Sequence, residues 1–477
     1  MSHFMFQRLP ILVPILTLLC LPAVAQITWD EPMELAPSSF GNTRPRIATN
    51  RKGEALVIWG KSSDLYYSKG SPDGFSTPIK LNPAGITVAS ATWMGPDIAA
   101  HGDTVYIVLK QTPEDLATSH IWCLRSTDGG TSWDTPIQVE NTGSDRTRFP
   151  AVTTDDVGQP IIAYMRFNPS FMEARWVVTR SYDFGQTFTS DVLASGWSGP
   201  DAEACDCCPG TIVCSGDHVA VIYRDNNQSL RDSWAGFSTD GGITFTGGVN
   251  IDQNGWMIDA CPSTGPDGVI LGDTLYSTFM NGQSGKALVY YNQTSIPDLF
   301  TPPSTSVPGD GNGLQQNFSR MASSGDAVAL MWRHSANFST GLALMFTKDI
   351  HQGFLPAFDT VAYSQVANGD VAVTPNDVYV VWQNNSPSNV MIRRGNYNAS
   401  TGIEDVLDPN STTRLSIHPN PAFHEITIEG PAAMTRILDS SGKVMIESKE
   451  STINIQSLPP GWYVVSSANG CGQFVKH

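Results

Sequence analysis

The chain has 477 residues, more than one ordinary domain needs, although a propeller of repeated sheets can use several hundred as a single unit. Its 42 Gly, 32 Pro and only 15% charged residues suit many short strands and turns rather than long helices. A formal net charge of -17 argues against nucleic acid as a partner, because an acidic surface and a phosphate backbone repel.

The first 25 residues read as a secretion signal. Arg8 closes a short, weakly basic stretch, Leu9 to Leu21 is apolar apart from its prolines and Thr17, and Ala23-Val24-Ala25 supplies the small-x-small cleavage pattern. The expected mature chain starts at Gln26 and has no segment long enough to span a bilayer. Cys20 follows Leu19 where a lipoprotein needs a small residue, which argues against lipidation. Seven cysteines then remain, at 123, 205, 207, 208, 214, 261 and 471, an odd number that leaves at least one unpaired.

From residue 26 to 401 one pattern recurs. Apolar strands appear at Ala55–Trp59, Val105–Leu109, Ile161–Tyr164, Val219–Tyr223, Thr274–Thr278, Val328–Trp332 and Val378–Trp382. Their spacing of about 50–59 residues fits blades of four short strands, so seven blades are expected, with six as the alternative. A second echo precedes each strand. It reads Pro45-Arg46-Ile47, Pro96-Asp97-Ile98, Pro150-Ala151-Val152, Pro209-Gly210-Thr211 and Pro262-Ser263-Thr264, then Ser319-Arg320-Met321 and Gly369-Asp370-Val371. These mark the starts of the innermost strands. The seventh unit lacks a fourth strand, and Ile27–Leu35 resembles the fourth strands of other units, so the N-terminus is expected to complete the last blade.

Three copies of Ser-x-Asp-x-Gly-x-x-aromatic punctuate the repeat: Ser126–Trp133, Ser181–Phe188 and Ser238–Phe245. The Asp accepts backbone N–H groups in a tight turn and the Gly supplies a conformation that a β-carbon disfavours. The motif is similar to the Asp-box, or BNR repeat, of sialidase-like β-propellers. Asp128, Asp183 and Asp240 are therefore read as turn formers, not catalysts.

Residues 402–413 are polar and read as a linker. From 414 to 477 short alternating strands predict a small β-sandwich. Its Pro419-Asn420-Pro421 opening, its Leu458-Pro-Pro-Gly-Trp-Tyr463 strand and its terminal Phe474-Val475-Lys476 resemble the C-terminal sorting domain of type IX secretion substrates. That resemblance implies the type IX machinery as a partner and a secreted or surface-attached protein.

The sialidase-like resemblance also implies a chemistry. Sialidases hold a substrate carboxylate with three arginines, whose planar forks suit it. They cleave with a Tyr nucleophile, a Glu that activates it and an Asp acid/base. Their Phe/Tyr-Arg-Ile-Pro start is only half matched by Pro45-Arg46-Ile47-Ala48. On this resemblance Arg46, Arg224 and Arg320 are the substrate-binding candidates, with Arg166 and Arg333 as competitors. Glu203, Asp97 and Asp64 are the catalytic candidates, and Tyr363 and Tyr379 are the only tyrosines offered as nucleophile. A glycan or glycoprotein ligand is implied, and sialidases use six blades rather than seven. The two readings are a sialidase-like exo-glycosidase and a non-catalytic propeller that binds glycan or protein at the cell surface.

Glu203-Ala-Cys205-Asp-Cys207-Cys208-Pro209 stands apart, and resembles a Cys-rich subgroup of secreted Asp-box proteins that carry the sialidase-like label. Cys208-Pro209 and Cys261-Pro262 align in neighbouring blades, so Cys208 and Cys261 are expected to face each other. Disulfides among Cys205, Cys207, Cys208, Cys214 and Cys261 come first. A thiolate site for zinc or Cu(I) is the alternative, and no other cofactor is implied.

Overall fold

The computed structural model describes residues 26–36, 41–71, 74–309, 311–337, 339–363, 365–385, 388–398, 415–420, 422–429, 434–439, 444–467 and 470–476. The secretion signal and the 402–413 linker fall outside them. Contacts divide the chain into two compact units, 1–397 and 398–477.

Among the described residues the first unit is all-β, a propeller of seven antiparallel sheets that follow one another along the chain. Numbered one to seven, their inner strands are Asn42–Thr49, Asp97–His101, Arg146–Thr154, Thr211–Ser215, Asp267–Leu271, Gln315–Ser324 and Val366–Val373. All seven apolar runs of the repeat become second strands, from Ala55–Lys61 to Asp377–Asn384. They are apolar on consecutive positions because neighbouring sheets cover both of their faces. Leu56, Val57, Ile58 and Trp59, for instance, are all at most 1% exposed. The last sheet is completed from the N-terminus: Thr28 and Trp29 lie opposite Asn396 and Gly395, and Met33 lies opposite Ile392.

The first strands of successive sheets pack side by side, and that of sheet seven packs beside that of sheet one. A repeated latch joins them. Asp97 accepts the Val152 N–H at 3.1 Å, Asp267 the Met321 N–H at 2.8 Å and Asp370 the Ile47 N–H at 3.1 Å. Each carboxylate crosses from one sheet to the next and satisfies a buried backbone donor.

The three Ser-x-Asp turns share one hydrogen-bond scheme. In the third, Ser238 Oγ donates to Asp240 Oδ1 at 2.6 Å, the N–H groups of Ile243 and Thr244 donate to the same oxygen, and Thr244 Oγ1 donates to Oδ2 at 2.6 Å. Asp128 and Asp183 repeat it atom for atom. Burial opposes ionisation of Asp240, but these hydrogen bonds outweigh it and lower its pKa. Asp240→Ala is expected to cost about 1–2 kcal/mol in denaturant unfolding. Because the folded pKa lies below the unfolded one, that difference should persist above pH ~4 and fade as pH falls further.

The second unit has two sheets. One orders Ser416–His418, Glu425–Glu429 and Thr452–Asn454; the other orders Val444–Ser448, Thr435–Leu438, Gly461–Ser467 and Gly470–Lys476. Leu415, Ile426, Ile437, Val465 and Phe474 form the core between them, which makes the unit a small β-sandwich.

Candidate functional site

Chain starts of several first strands meet around one cavity of about 20 Å³, lined by Arg44 and Arg46 from sheet one, Arg320 from sheet six, Asn368 from sheet seven and Trp93 ahead of sheet two. Sheets four and five contribute Pro209, Gly210 and Gly265. A β-bulge between Thr43 and Arg46 turns the chain here, with Arg44 at φ +46°. Such left-handed backbone is costly for a residue with a β-carbon and persists only where the surroundings hold it. Gln383 Oε1 accepts the Arg44 N–H at 3.0 Å, and Arg44 Nη1 donates to the Gly95 and Pro96 carbonyls at 2.9 and 2.6 Å.

Arg46 Nη1 donates to Pro45 O at 2.7 Å and Asn368 Oδ1 at 3.2 Å. Arg320 Nε lies 2.9 Å from Asp370 and 3.4 Å from Asp267. The Nε atoms of Arg44 and Arg46 are buried without a partner. Burial and then the neighbouring Arg46 push the Arg44 pKa well down, and burial and then Arg320 lower that of Arg46 to about 10. Burial opposes the charge of Arg320 too, but Asp267 and Asp370 together outweigh it and raise its pKa. Among the described residues, the lining holds three guanidinium groups and no carboxylate or tyrosine.

Two of the three expected arginines, Arg46 and Arg320, therefore meet, and the third member is Arg44. Arg224 is taken up elsewhere. Buried, it donates to the carbonyls of Arg231 and Met280 at 2.6 Å each and lies 5.1 Å from the Trp256 ring, stitching sheet four to sheet five. Arg166 pairs with Asp145 and Asp191, and Arg333 donates to Val366 O. Among the acids, Asp97 is a latch, Asp64 sits 2.8 Å from Lys80, and Glu203 lies opposite Asn226 at the edge of sheet four. Tyr363 is 79% exposed on an outer strand, and Tyr379 is half-buried opposite Arg394 and does not line the cavity. Arg44 carried no signal beyond preceding a proline.

The cysteines lie beside this cavity, since Cys208 precedes Pro209. Cys207 and Cys261 are disulfide-bonded with Cα atoms 6.3 Å apart, which ties sheet four to the approach of sheet five. The expected facing pair, Cys208 and Cys261, is thus corrected to Cys207 and Cys261. The reason is register. Counted back from the inner hairpins Ser215↔His218 and Leu271↔Thr274, Cys208 is equivalent to Thr264 and Cys261 to Cys205. Pro262-Ser263-Thr264 consequently lies ahead of the fifth inner strand, not at its start. Gly265 instead opposes Pro209, where a β-carbon would come within 1.9 Å of the Pro209 carbonyl oxygen.

Cys205 and Cys208 are buried, with sulfurs 2.6 Å apart, and Cys207 Sγ is 3.5 Å from Cys205 Sγ. The three sulfurs of Cys205, Cys207 and Cys208 lie within 4.8 Å of one another, but the disulfide occupies one of them. Cys123 and Cys214 are free thiols whose pKa burial pushes up to about 12.

Residues 416–477 match the family described as the secretion system C-terminal sorting domain. The chain is accordingly an exported protein that engages the type IX machinery and reaches the outer surface or the medium. No curated protein matches the chain. Among solved structures it is similar to a protein of unknown function from Dyadobacter fermentans, at 14% identity and TM-score 0.45 over 68% of this chain and 99% of the other. It is similar to the Penicillium chrysogenum alpha-L-arabinanase at 11% identity and TM-score 0.43, covering 78% and 99%. For a mutant of the NanB sialidase of Streptococcus pneumoniae the figures are 9% and 0.43, covering 73% and 84%.

Proposed function

We propose that the exported propeller binds an acidic sugar of a glycan through Arg44, Arg46 and Arg320. The observation that carries this is the convergence of three guanidinium groups on one cavity whose lining, among the described residues, has no carboxylate. Guanidinium forks match a carboxylate in shape and charge. The space of about 20 Å³ admits little more than a water-sized group, so the carboxylate tip enters and the sugar ring stays outside. This supports the binding reading over the exo-glycosidase, because among the described residues no tyrosine or carboxylate lines the cavity itself.

Calorimetry of the mature chain with sialyllactose and with lactose tests the proposal. Sialyllactose should bind, lactose should not, and Arg46→Gln should weaken sialyllactose by about tenfold or more, since it removes one charge-assisted contact. Equal affinity for the two sugars would sink it. A fluorogenic sialoside run alongside should show no turnover; hydrolysis would favour the glycosidase instead.

A further inference from the structure

Four sulfurs form a graded path from solvent to the interior. Cys261 is exposed, Cys207 half-buried, and Cys205 and Cys208 buried. Cys261 is bonded to Cys207, Cys207 Sγ lies 3.5 Å from Cys205 Sγ, and Cys205 Sγ lies 2.6 Å from Cys208 Sγ. That last distance is longer than the ~2.05 Å of a disulfide bond, so Cys205 and Cys208 are neighbouring free thiols.

We propose that these four cysteines are an internal thiol–disulfide relay, in which the exposed Cys207–Cys261 disulfide passes its oxidation to the buried Cys205 and Cys208. The Cys205 thiolate attacks Cys207 Sγ. A Cys205–Cys207 bond forms, the Cys207–Cys261 bond breaks, and Cys261 leaves as a thiolate that takes a proton from water. The Cys208 thiolate, its proton lost to solvent, then attacks Cys205 Sγ. The Cys205–Cys208 bond forms and Cys207 leaves as a thiolate. One disulfide and one dithiol enter and one of each emerge, so no electrons are gained or lost. A disulfide-bearing oxidant outside can then reoxidise Cys207 and Cys261 by the same exchange, leaving two disulfides.

The surroundings favour this order. Arg231 Nη1 is 3.0 Å from Cys205 Sγ, a cation placed where the attacking thiolate forms. The hydrogen bond with Cys208 and then the arginines Arg231 and Arg224 lower the Cys205 pKa against its burial, whereas burial and Cys205 raise that of Cys208. The buried pair, both at most 1% exposed, is closed to a bulky external oxidant, so the exposed disulfide is its port. Export into an oxidising compartment supplies the need for such a port. The relay would lock the 203–209 segment that delivers Pro209 to the arginine cavity.

The test is non-reducing peptide mapping of the mature, full chain after mild reduction and reoxidation with oxidised glutathione, quenched by alkylation at intervals. Near-UV circular dichroism confirms that each sample stays folded. Wild type should end with Cys205–Cys208 and Cys207–Cys261 bonds, leaving Cys123 and Cys214 alkylated. Cys261→Ser should slow the Cys205–Cys208 bond by about tenfold or more, because its in-place donor is gone. Cys208→Ser should trap a Cys205–Cys207 bond with Cys261 alkylated, a readout that needs no reoxidation. Wild type that keeps Cys205 and Cys208 as thiols, or an undiminished rate in Cys261→Ser, overturns the relay. So does Cys208→Ser that contains only the Cys207–Cys261 bond, or stoichiometric zinc on these sulfurs.

Discussion

Arg320→Ala should lower the unfolding free energy of the propeller by about 3–5 kcal/mol, the range for removing one partner of a buried charge pair. The side chains of Asp267 and Asp370 are only 6% and 8% exposed, and Arg320 is the cation that faces both. Each also holds a backbone N–H of the next sheet, Met321 or Ile47, so neither can swing away to find water. Without the guanidinium, two carboxylates face each other in a dry place. Burial already holds the Asp267 carboxyl above its ordinary range against the pull of Arg320, so losing the guanidinium should raise its folded pKa further. Stability of the variant should then fall as pH rises from about 4 towards neutrality, and its gap to wild type should be smallest near pH 4. Urea unfolding of both proteins at pH 4.5 and 7.5 checks this. A gap below about 1 kcal/mol at pH 7.5 would show that Arg320 is a ligand group only and not a structural counter-ion.

That dual position explains what could be read from the sequence and what could not. The sheets were legible because each second strand is covered on both faces, which leaves an uninterrupted apolar run such as Leu56–Trp59. The Asp turns were legible because their hydrogen bonds are made within seven residues. The cavity was only partly legible. Arg46 and Arg320 stood in the repeated inner-strand echo, but Arg44 reaches the cavity through a bulge that no periodicity announces. Arg224 was misread because its length and burial let it serve carbonyls of Arg231 and Met280, a choice set by tertiary packing. The cysteine pairing failed on register. Aligning Pro262 with Pro209 slid the fifth unit by three residues, since Gly265 is the true counterpart of Pro209. Short echoes locate a blade, but the tight inner hairpin decides which residues oppose each other.

Asp225→Asn should stabilise the protein at pH 8 by about 2–4 kcal/mol and leave it nearly unchanged at pH 4.5. Asp225 follows Arg224 in the second strand of sheet four, is 1% exposed, and has an Oδ1 without a hydrogen-bond partner. Burial pushes its carboxyl up to about 7. Nearby Asp252 is pushed to about 6, by burial first and then by the charge of Asp232. In both cases the folded pKa exceeds the unfolded one, so between pH ~4 and ~7 the native state holds protons that the unfolded chain has released. Stability therefore falls as pH rises through that window, by up to ~1.4 kcal/mol per pH unit for each group. An amide of the same shape has no charge to bury, so it removes the Asp225 share of the slope and leaves that of Asp252. Thermal unfolding across pH 4.5–8 reads both. The wild-type midpoint should decline towards pH 8 and the variant should decline less. Parallel curves would mean that Asp225 is ionised at little cost in the folded state.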